Sequence, residues 1–198
     1  MSDTLERARR KDPAMANLGY ERDPSEFYPT PEWCTEALLR NYKFDKDYTV
    51  WEPACGEGHI SKVLEEKGFD VFSSDLNNTG FGFHGLDFLT QETQHRAIIT
   101  NPPYKRQDKI WLSDRFVKKG IELTEEHKGI VAMFMRTDWG SASSRKPLTN
   151  HPAFSMKLEM TRRPRWIKDS TGSPRHNYSW MIWDWKTVGQ PPTIKFDQ

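Results

Sequence analysis

The stretch YTVWEPACGEGHISKVLEEKGFDVFSSD, residues 48–75, predicts the type of fold. Tyr, Val and Trp in 48–52 favour a strand, and 59–67 carries apolar residues at helical spacing before Gly68, a residue type that commonly ends helices. A second strand follows and ends in Asp75. Strand, glycine-containing loop, helix and strand in this order predict an α/β sheet.

The loop between the first strand and the helix contains Gly56 and Gly58. Glycines at such a turn allow a ligand to approach the backbone closely, and the start of the following helix favours negative groups. Asp75, at the end of the predicted strand 69–75, can accept hydrogen bonds from both hydroxyls of a ribose. The third glycine of the dinucleotide fingerprint is absent, which favours an adenosine-containing ligand other than NAD. The alternative is a tight turn whose glycines serve only its geometry.

A second informative stretch is AIITNPPY, residues 97–104. Its apolar part predicts a strand that brings Asn101 to the carboxyl edge of the sheet, where open α/β folds bind ligands. Pro102 ends the strand, so its carbonyl and the Asn101 amide oxygen are two acceptors suited to an NH2 group. Tyr104 offers a flat face for a planar group. The alternative is a proline turn that only ends the strand.

The remaining elements extend this sheet. Further helices are predicted at 31–42 and 109–127, and further strands at 129–135, 157–161 and 178–184. Residues 76–94 are predicted to be mostly loop, and 140–155 to be loop with at most one helix. Because strands dominate the end of the chain, the pattern predicts an α/β sheet closed by an antiparallel pair.

Composition limits the class of protein. With 198 residues, the chain is long enough for one domain at 27–198, behind a polar N-terminal arm at 1–26. The 11 Phe, 8 Trp and 6 Tyr provide core side chains in a sequence that is only 35% hydrophobic. The sequence contains no membrane-length apolar run and no secretion signal, and Cys34 and Cys55 alone predict neither disulfides nor zinc. We therefore expect a soluble, cytoplasmic protein without a metal.

Basic residues are concentrated in one segment. Residues 1–135 contain 18 Lys and Arg against 23 Asp and Glu, whereas 136–175 contain 9 against 3. A basic face on an acidic body is typical of proteins that bind polyanions. The residues expected to contact nucleic acid are Arg136, Trp139, Arg162, Arg163, Arg165, Trp166 and His176. The alternative is a solvated charged loop that contains salt bridges and packing tryptophans.

Three motifs resemble those of the S-adenosylmethionine-dependent amino methyltransferases: FYPTP (27–31), EPACGEG (52–58) and NPPY (101–104). They are similar to motifs X, I and IV of that superfamily, and above all to those of small adenine-N6 DNA methyltransferases of phage and prophage type. The resemblance implies a class I methyltransferase, Rossmann-like fold, with helices on both faces of a mostly parallel sheet and an antiparallel C-terminal strand. It also implies S-adenosyl-L-methionine as the cofactor. The chain leaves no room for a target-recognition domain of usual size, so 136–175 and the arm are expected to contact the substrate.

The resemblance assigns roles by position. The residues implied to hold the cofactor are Tyr28, Thr30 and Pro31 at its methionine end, Glu52, Pro53, Ala54, Gly56 and Gly58 in the loop, Asp75 and Leu76 at the ribose, and Asp87 and Phe88 at the adenine. The catalytic residues are Asn101, Pro102, Pro103 and Tyr104. Asn101 and Pro102 would hold the target NH2, and Tyr104 would stack on a flipped base. The chemistry implied needs no metal, because a sulfonium is already a good leaving group.

The resulting hypothesis is methylation of adenine N6 in DNA. Methylation of an RNA base amine or of a protein glutamine amide stays open, because both reactions also use Asn-Pro-Pro-aromatic sites. A third alternative is a nucleic-acid-binding module of the same fold without turnover, against which the intact Gly56, Gly58, Asn101 and Tyr104 argue. The sequence predicts neither the recognition sequence nor the oligomeric state.

Overall fold

Residues 28–166, 174 and 176–197 are described by a computed structural model of the protein. The elements in chain order are α1 (Glu32–Asn41), β1 (Val50–Glu52), α2 (His59–Glu66), β2 (Val71–Asp75), β3 (Phe83–His84), β4 (Ala97–Thr100), β5 (Arg106–Gln107), β6 (Ile110–Trp111), α3 (Leu112–Thr124), β7 (Ile130–Arg136), α4 (Lys146–Thr149), β8 (Phe154–Met160), β9 (Tyr178–Asp184) and β10 (Thr193–Asp197). The expected arm at 1–26 lies outside the described residues, as do 167–173 and 175 of the basic segment.

Within the described residues, eight strands form one sheet in the order β10-β8-β9-β7-β4-β1-β2-β3. β2, β1, β4 and β7 pair in parallel, and β9 runs antiparallel to both of its neighbours, β7 and β8. The prediction of a mostly parallel sheet with an antiparallel C-terminal strand is therefore confirmed. The predicted antiparallel pair is formed by β8 and β9, and β8 runs in the same direction as the parallel strands.

A separate hydrophobic core covers each face of this sheet. Ile99 of β4 packs with α1 and α2 through Leu38 and Ile60, whereas the adjacent Ile98 belongs to the core around Val117 of α3. Successive side chains of a strand point to opposite faces, so a strand that is apolar throughout needs a layer of helices on each side. The two helical layers leave the carboxyl edge of the parallel strands open.

Two features depart from the predicted elements. The hairpin β5–β6 occupies part of the predicted helix 109–127, so α3 begins only at Leu112. The edge strand β10 was not predicted, and it pairs in parallel with β8. No helix in the described part of the chain is both long enough and apolar enough to cross a bilayer.

Candidate active site

A cavity of about 680 Å³ opens at the carboxyl edge of the sheet, beside the ends of β1, β2 and β4. The strand order reverses between β1 and β4, and open α/β sheets bind ligands at such a switch point. The volume is in the range of small-molecule sites. The predicted residues that line the cavity are Tyr28, Thr30, Glu52, Pro53, Ala54, Gly56, Asp75, Leu76, Asp87, Phe88, Asn101, Pro102, Pro103 and Tyr104. The three motifs thus meet around one space.

The glycine loop between β1 and α2 forms one wall of this cavity. Gly56 and Gly58 have φ values of 52° and 80°, in the left-handed region that glycine adopts without strain. Gly58 does not line the cavity but begins α2, and a Cβ there would lie 2.3 Å from the Phe81 ring. Its role in this structure is therefore to form the turn and admit Phe81.

Asp75 holds the glycine loop in place from the end of β2. Its Oδ2 accepts a hydrogen bond from the Gly56 main-chain N–H at 3.0 Å, and its Oδ1 accepts one from the N–H of Asn77 at 2.8 Å. The side chain is only 9% exposed and lines the cavity. Asn77 Nδ2 also donates to Oδ1, at 3.4 Å. A carboxylate has about four acceptor positions, so these three bonds leave capacity for a hydroxyl donor of a ligand.

Glu52, at the end of β1, is the most buried acid of the site, with 2% of its surface exposed. Its Oε2 accepts hydrogen bonds from the Ser61 main-chain N–H at 2.8 Å and from the Ser61 hydroxyl. Burial raises the pKa of the Glu52 carboxyl to about 8, although the bonds from Ser61 act in the opposite direction. We therefore expect Glu52 to be mostly protonated near neutral pH.

Asn101 follows β4 and is oriented by the Tyr28–Thr30 segment. Its Nδ2 donates to the Tyr28 carbonyl at 3.3 Å and to the Thr30 hydroxyl at 3.1 Å. A main-chain carbonyl only accepts, so this contact fixes which end of the amide is nitrogen. Asn101 Oδ1 is buried and has no hydrogen-bond partner among the described residues. Such an unpaired buried acceptor costs about 1–3 kcal/mol, which a ligand donor would recover.

Tyr104 is fixed at its hydroxyl end. Its Oη donates to the main-chain carbonyl of Phe134 in β7 at 2.6 Å, and its ring lies edge-on to Tyr178 at a centroid distance of 6.5 Å. The ring is half-buried and lines the cavity. The hydrogen bond and the packing hold the ring in place at the cavity, three residues after Asn101 in the sequence.

Asp87 and Phe88, predicted to meet an adenine, lie together at the cavity wall. Asp87 Oδ1 already accepts from the Leu89 N–H at 2.9 Å, where the side chain caps a 3-10 turn. Phe88 is buried between Trp51 and Phe116, at centroid distances of 5.1 and 4.7 Å. Both residues thus support the wall structurally, and their contact with a base stays a prediction.

Superposition on solved structures identifies the fold. A protein from Listeria monocytogenes described as a class I S-adenosylmethionine-dependent methyltransferase superposes with a TM-score of 0.63 at 12% identity, over 90% of this chain and 68% of that one. The fold is that of the class I methyltransferases. A type I restriction enzyme modification subunit from Vibrio vulnificus superposes with a TM-score of 0.61 at 11% identity, over 83% of this chain and 46% of its own. A protein from Pyrococcus horikoshii described as an RNA methyltransferase superposes with a TM-score of 0.56 at 13% identity, over 77% of this chain and 81% of that one.

Sequence comparison adds little to the methyltransferase fold. No family profile matches the chain. A segment of 67 residues is 39% identical to a probable cytoplasmic isoleucine–tRNA ligase from Dictyostelium discoideum, but it covers 34% of this chain and 6% of that protein. At identities of 11–13%, the structural likenesses establish the fold alone. Assignment of chemistry therefore depends on the site itself.

The methyltransferase fold places two predicted nucleic-acid contacts differently from expectation. Trp139 is 3% exposed and donates its indole N–H to Asp114 at 2.8 Å, so it packs in the core and does not line the cavity. Arg136 forms two hydrogen bonds with Asp138, at 3.0 and 2.6 Å. The nearby carboxylate offsets its charge, as the salt-bridge alternative anticipated.

The rest of the predicted nucleic-acid set lies away from the cavity lining. Arg162 stacks over Trp33 of α1 at 4.9 Å, and Arg163 donates to the Asn177 side chain at 2.7 Å. Trp166 is half-buried in an aromatic cluster, 4.8 Å from Tyr178 and 5.8 Å from Tyr28. Arg165 is exposed, and His176 is partly buried next to β9. Pro31, predicted at the cofactor, instead precedes the first residue of α1 and does not line the cavity.

Sequence reasoning missed the residues that directly follow the NPPY motif. Lys105, Arg106 and Gln107 line the cavity and begin the hairpin β5–β6. Their position immediately after the NPPY motif was the available signal. Among the described residues, no group of three or more His, Cys, Asp or Glu side chains is placed to hold a metal.

Cys55 also lines the cavity without a catalytic environment. Burial, followed by the charges of Glu52 and Asp75, raises the pKa of its thiol to about 12. Only the thiolate is a strong nucleophile, so this cysteine is expected to pack.

Proposed function

We propose that this protein transfers a methyl group from S-adenosyl-L-methionine to the exocyclic N6 amine of adenine in DNA. The observation that carries the proposal is the buried, unpaired Oδ1 of Asn101 beside the cavity of a methyltransferase fold. An amide oxygen held in this way is suited to accept a hydrogen bond from an NH2 group. The same bond would orient the nitrogen lone pair toward an electrophile.

The polar groups that line the cavity are suited to this cofactor. Asp75 retains acceptor capacity for a ribose hydroxyl, and the glycine loop lets a ligand approach the backbone. The Glu57 and Asp75 carboxylates line the cavity on the β1–β2 side, and a cationic ligand suits such a surface. When bound, S-adenosyl-L-methionine supplies a methyl group attached to a positively charged sulfur that is a good leaving group.

The protein contributes position and electrostatics on the β4 side. Asn101 is held through its Nδ2 by the Tyr28 carbonyl and by Thr30, which is itself 3% exposed. Tyr104 presents a ring anchored to β7, against which a planar base can stack. A base inside a duplex reaches such a site only by flipping out of the stack. Fixed groups of this kind accelerate a reaction because they require no reorganisation in the transition state.

The test is a transfer assay with product identification. The full-length protein is incubated with methyl-labelled S-adenosyl-L-methionine and duplex DNA, single-stranded DNA, RNA or protein extract, and the labelled product is digested and identified. We expect label in N6-methyladenine from DNA. Asn101→Ala should lower the transfer rate about 100-fold or more. Calorimetry should show that this variant retains its affinity for the cofactor.

Gln190→Ala provides the control, because Gln190 is an exposed amide residue between β9 and β10, outside the segment expected to contact the substrate. It should transfer methyl groups at the rate of the unaltered protein. Label in an RNA base or in glutamine would overturn the DNA substrate but keep Asn101 as the acceptor site. Full activity of Asn101→Ala would overturn the site, and cofactor binding without transfer to any substrate would overturn the enzymatic proposal.

A further inference from the structure

The hairpin β5–β6 is a short basic ribbon at the mouth of the cavity. Its first strand continues from the NPPY motif, and Lys105 and Arg106 line the cavity. The base of the hairpin is closed by a hydrogen bond from the Leu112 N–H to the Lys105 carbonyl at 2.9 Å. The hairpin therefore begins directly after the segment that contains Asn101 and Tyr104.

The side chains of the hairpin form an ordered cationic surface. The Arg106 guanidinium lies over the Trp111 ring at 5.3 Å and donates to the Lys109 carbonyl at 2.9 Å. Within the described residues, neither Lys105 nor Lys109 has an acidic partner, whereas Asp108 pairs with Arg115 at 3.7 Å. Both lysines are exposed. Lys105 at the cavity and Lys109 at the turn of the hairpin are therefore available to a ligand.

The basic segment 136–175 offers fewer such cations than its sequence suggests. Arg136 binds Asp138, and Arg145 binds Asp114 at 2.8 Å in a largely buried pair. Arg163 is engaged by Asn177. Arginines committed to internal contacts have less capacity to bind phosphates, so the balance of available charge near the cavity shifts toward the hairpin.

The turn of the hairpin is unusual for its sequence. Asp108 and Lys109 both have positive φ, 50° and 67°, as the central residues of a type I′ turn do. Glycine or asparagine normally occupies the second of these positions, and lysine is strained there. Lys109 thus carries a conformational cost at the tip of the hairpin, which a contribution to ligand binding would explain.

We propose that the hairpin 105–112 binds the sugar–phosphate backbone of the nucleic acid beside the target nucleotide, through Lys105 and Lys109. This inference rests on the proposed function, because it identifies where that substrate is held. The acidic β1–β2 side of the cavity repels phosphates, whereas the hairpin attracts them. A strand bound along the hairpin would present its base toward Asn101.

Two variants with the same change of net charge test this. Lys105→Gln/Lys109→Gln removes both hairpin cations, and Lys43→Gln/Lys118→Gln removes two exposed lysines of the loop after α1 and of α3. Binding of a short fluorescein-labelled duplex is measured by anisotropy from about 50 to 300 mM salt. The hairpin variant should lower the slope of log K against log salt by about 2, and binding should weaken on the order of tenfold or more. The control variant should match the unaltered protein, and both should bind cofactor equally.

A third variant separates ligand binding from folding. Lys109→Gly relieves the left-handed strain but removes the cation, so it should be at least as stable as the unaltered protein and yet bind the duplex more weakly. Acetylation by N-hydroxysuccinimide acetate, followed by peptide mass spectrometry, should show Lys105 and Lys109 protected by duplex, with Lys43 and Lys118 unprotected.

The outcomes separate the two proposals. Unchanged salt slopes, or equal acetylation with and without duplex, would overturn the role of the hairpin while methyl transfer by the unaltered protein preserved the proposed function. Transfer to glutamine, or to no substrate at all, would overturn both.

Discussion

Replacement of Glu52 by Gln should stabilise the protein relative to the unaltered protein, and this difference in unfolding free energy should grow as the pH rises. Glu52 is 2% exposed, and burial raises its pKa from an ordinary value of 4.5 to about 8. A tenfold change in an acid dissociation constant corresponds to about 1.4 kcal/mol. The difference between the two pKa values therefore corresponds to about 4–5 kcal/mol of unfolding free energy, a large part of the total stability of a typical domain.

The sign follows from proton binding. Below pH 4.5 the carboxyl is protonated in both the folded and the unfolded chain, so it adds no pH dependence there. Between pH 4.5 and 8 the unfolded chain releases this proton and the folded chain keeps it. The free energy of unfolding therefore falls by about 1.4 kcal/mol per pH unit. Above pH 8 the loss is complete. Glu52→Gln removes this loss, and its amide oxygen can still accept from the Ser61 N–H.

The assay is urea unfolding at a series of pH values from 5 to 9, for the unaltered protein, Glu52→Gln and Glu66→Gln. Glu66 lies on α2 and is exposed, so its variant controls for the loss of one carboxylate. The stability difference between Glu52→Gln and the unaltered protein should grow through pH 8 and then level off. Parallel curves for these two proteins from pH 5 to 8 would show that Glu52 is ionised in the folded state and would refute the reasoning.

Three further substitutions probe the turn and the ring at the site. Gly58→Ala places a Cβ 2.3 Å from the Phe81 ring at a φ of 80°, and urea unfolding should show a loss of about 1–3 kcal/mol; an unchanged midpoint would contradict the steric argument. Tyr104→Phe removes the hydrogen bond to the Phe134 carbonyl but keeps the ring, so unfolding should show a loss of about 1 kcal/mol. Labelled-methyl assays should then show transfer retained by Tyr104→Phe and lost by Tyr104→Ala, and equal rates for the two would contradict a stacking role.

The parallel part of the fold could be predicted because its signals are local. The strand at 97–100 has the predicted bounds, since four buried residues are followed directly by an Asn-Pro-Pro sequence that cannot continue a ladder. Helix α2 begins and ends within one residue of its prediction, because glycines flank it on both sides. In each case the neighbouring residues alone specify where the element stops.

The missed elements lack such local signals. The hairpin turn is formed by Asp108 and Lys109 rather than by glycine, so the usual sequence sign of a type I′ turn is absent. β10 contains only five residues, and most of them are exposed, so its alternation does not stand out from a loop. Its partner β8 lies more than 30 positions earlier in the chain, and such distant pairing is invisible in a local window.

The candidate site was predictable to the extent that it depends on backbone position. Residues at the ends of β1, β2 and β4 lie close together because parallel strands end at the same edge of the sheet, independently of their side-chain conformations. The positions of the arginine side chains in 136–175 could not be predicted in this way. Whether Arg136 faces a ligand or Asp138 depends on loop geometry, which composition does not specify. Charge content therefore predicted a basic segment correctly but did not predict which of its charges are engaged internally.

The polar groups around the cavity differ in charge according to the strand that supplies them. Glu57 and Asp75 come from the loop after β1 and from the end of β2, the neutral Asn101 directly follows β4, and Lys105 begins the hairpin whose turn contains Lys109. The acids suit a cationic ligand with hydroxyl donors, and the lysines suit an anionic strand. Asn101 stands in the chain directly before the basic hairpin and accepts hydrogen bonds without adding charge. On the proposed function, the acids would hold the cationic methyl donor and the lysines the strand that carries the amine, with the Asn101 amide oxygen as the acceptor for the NH2 group.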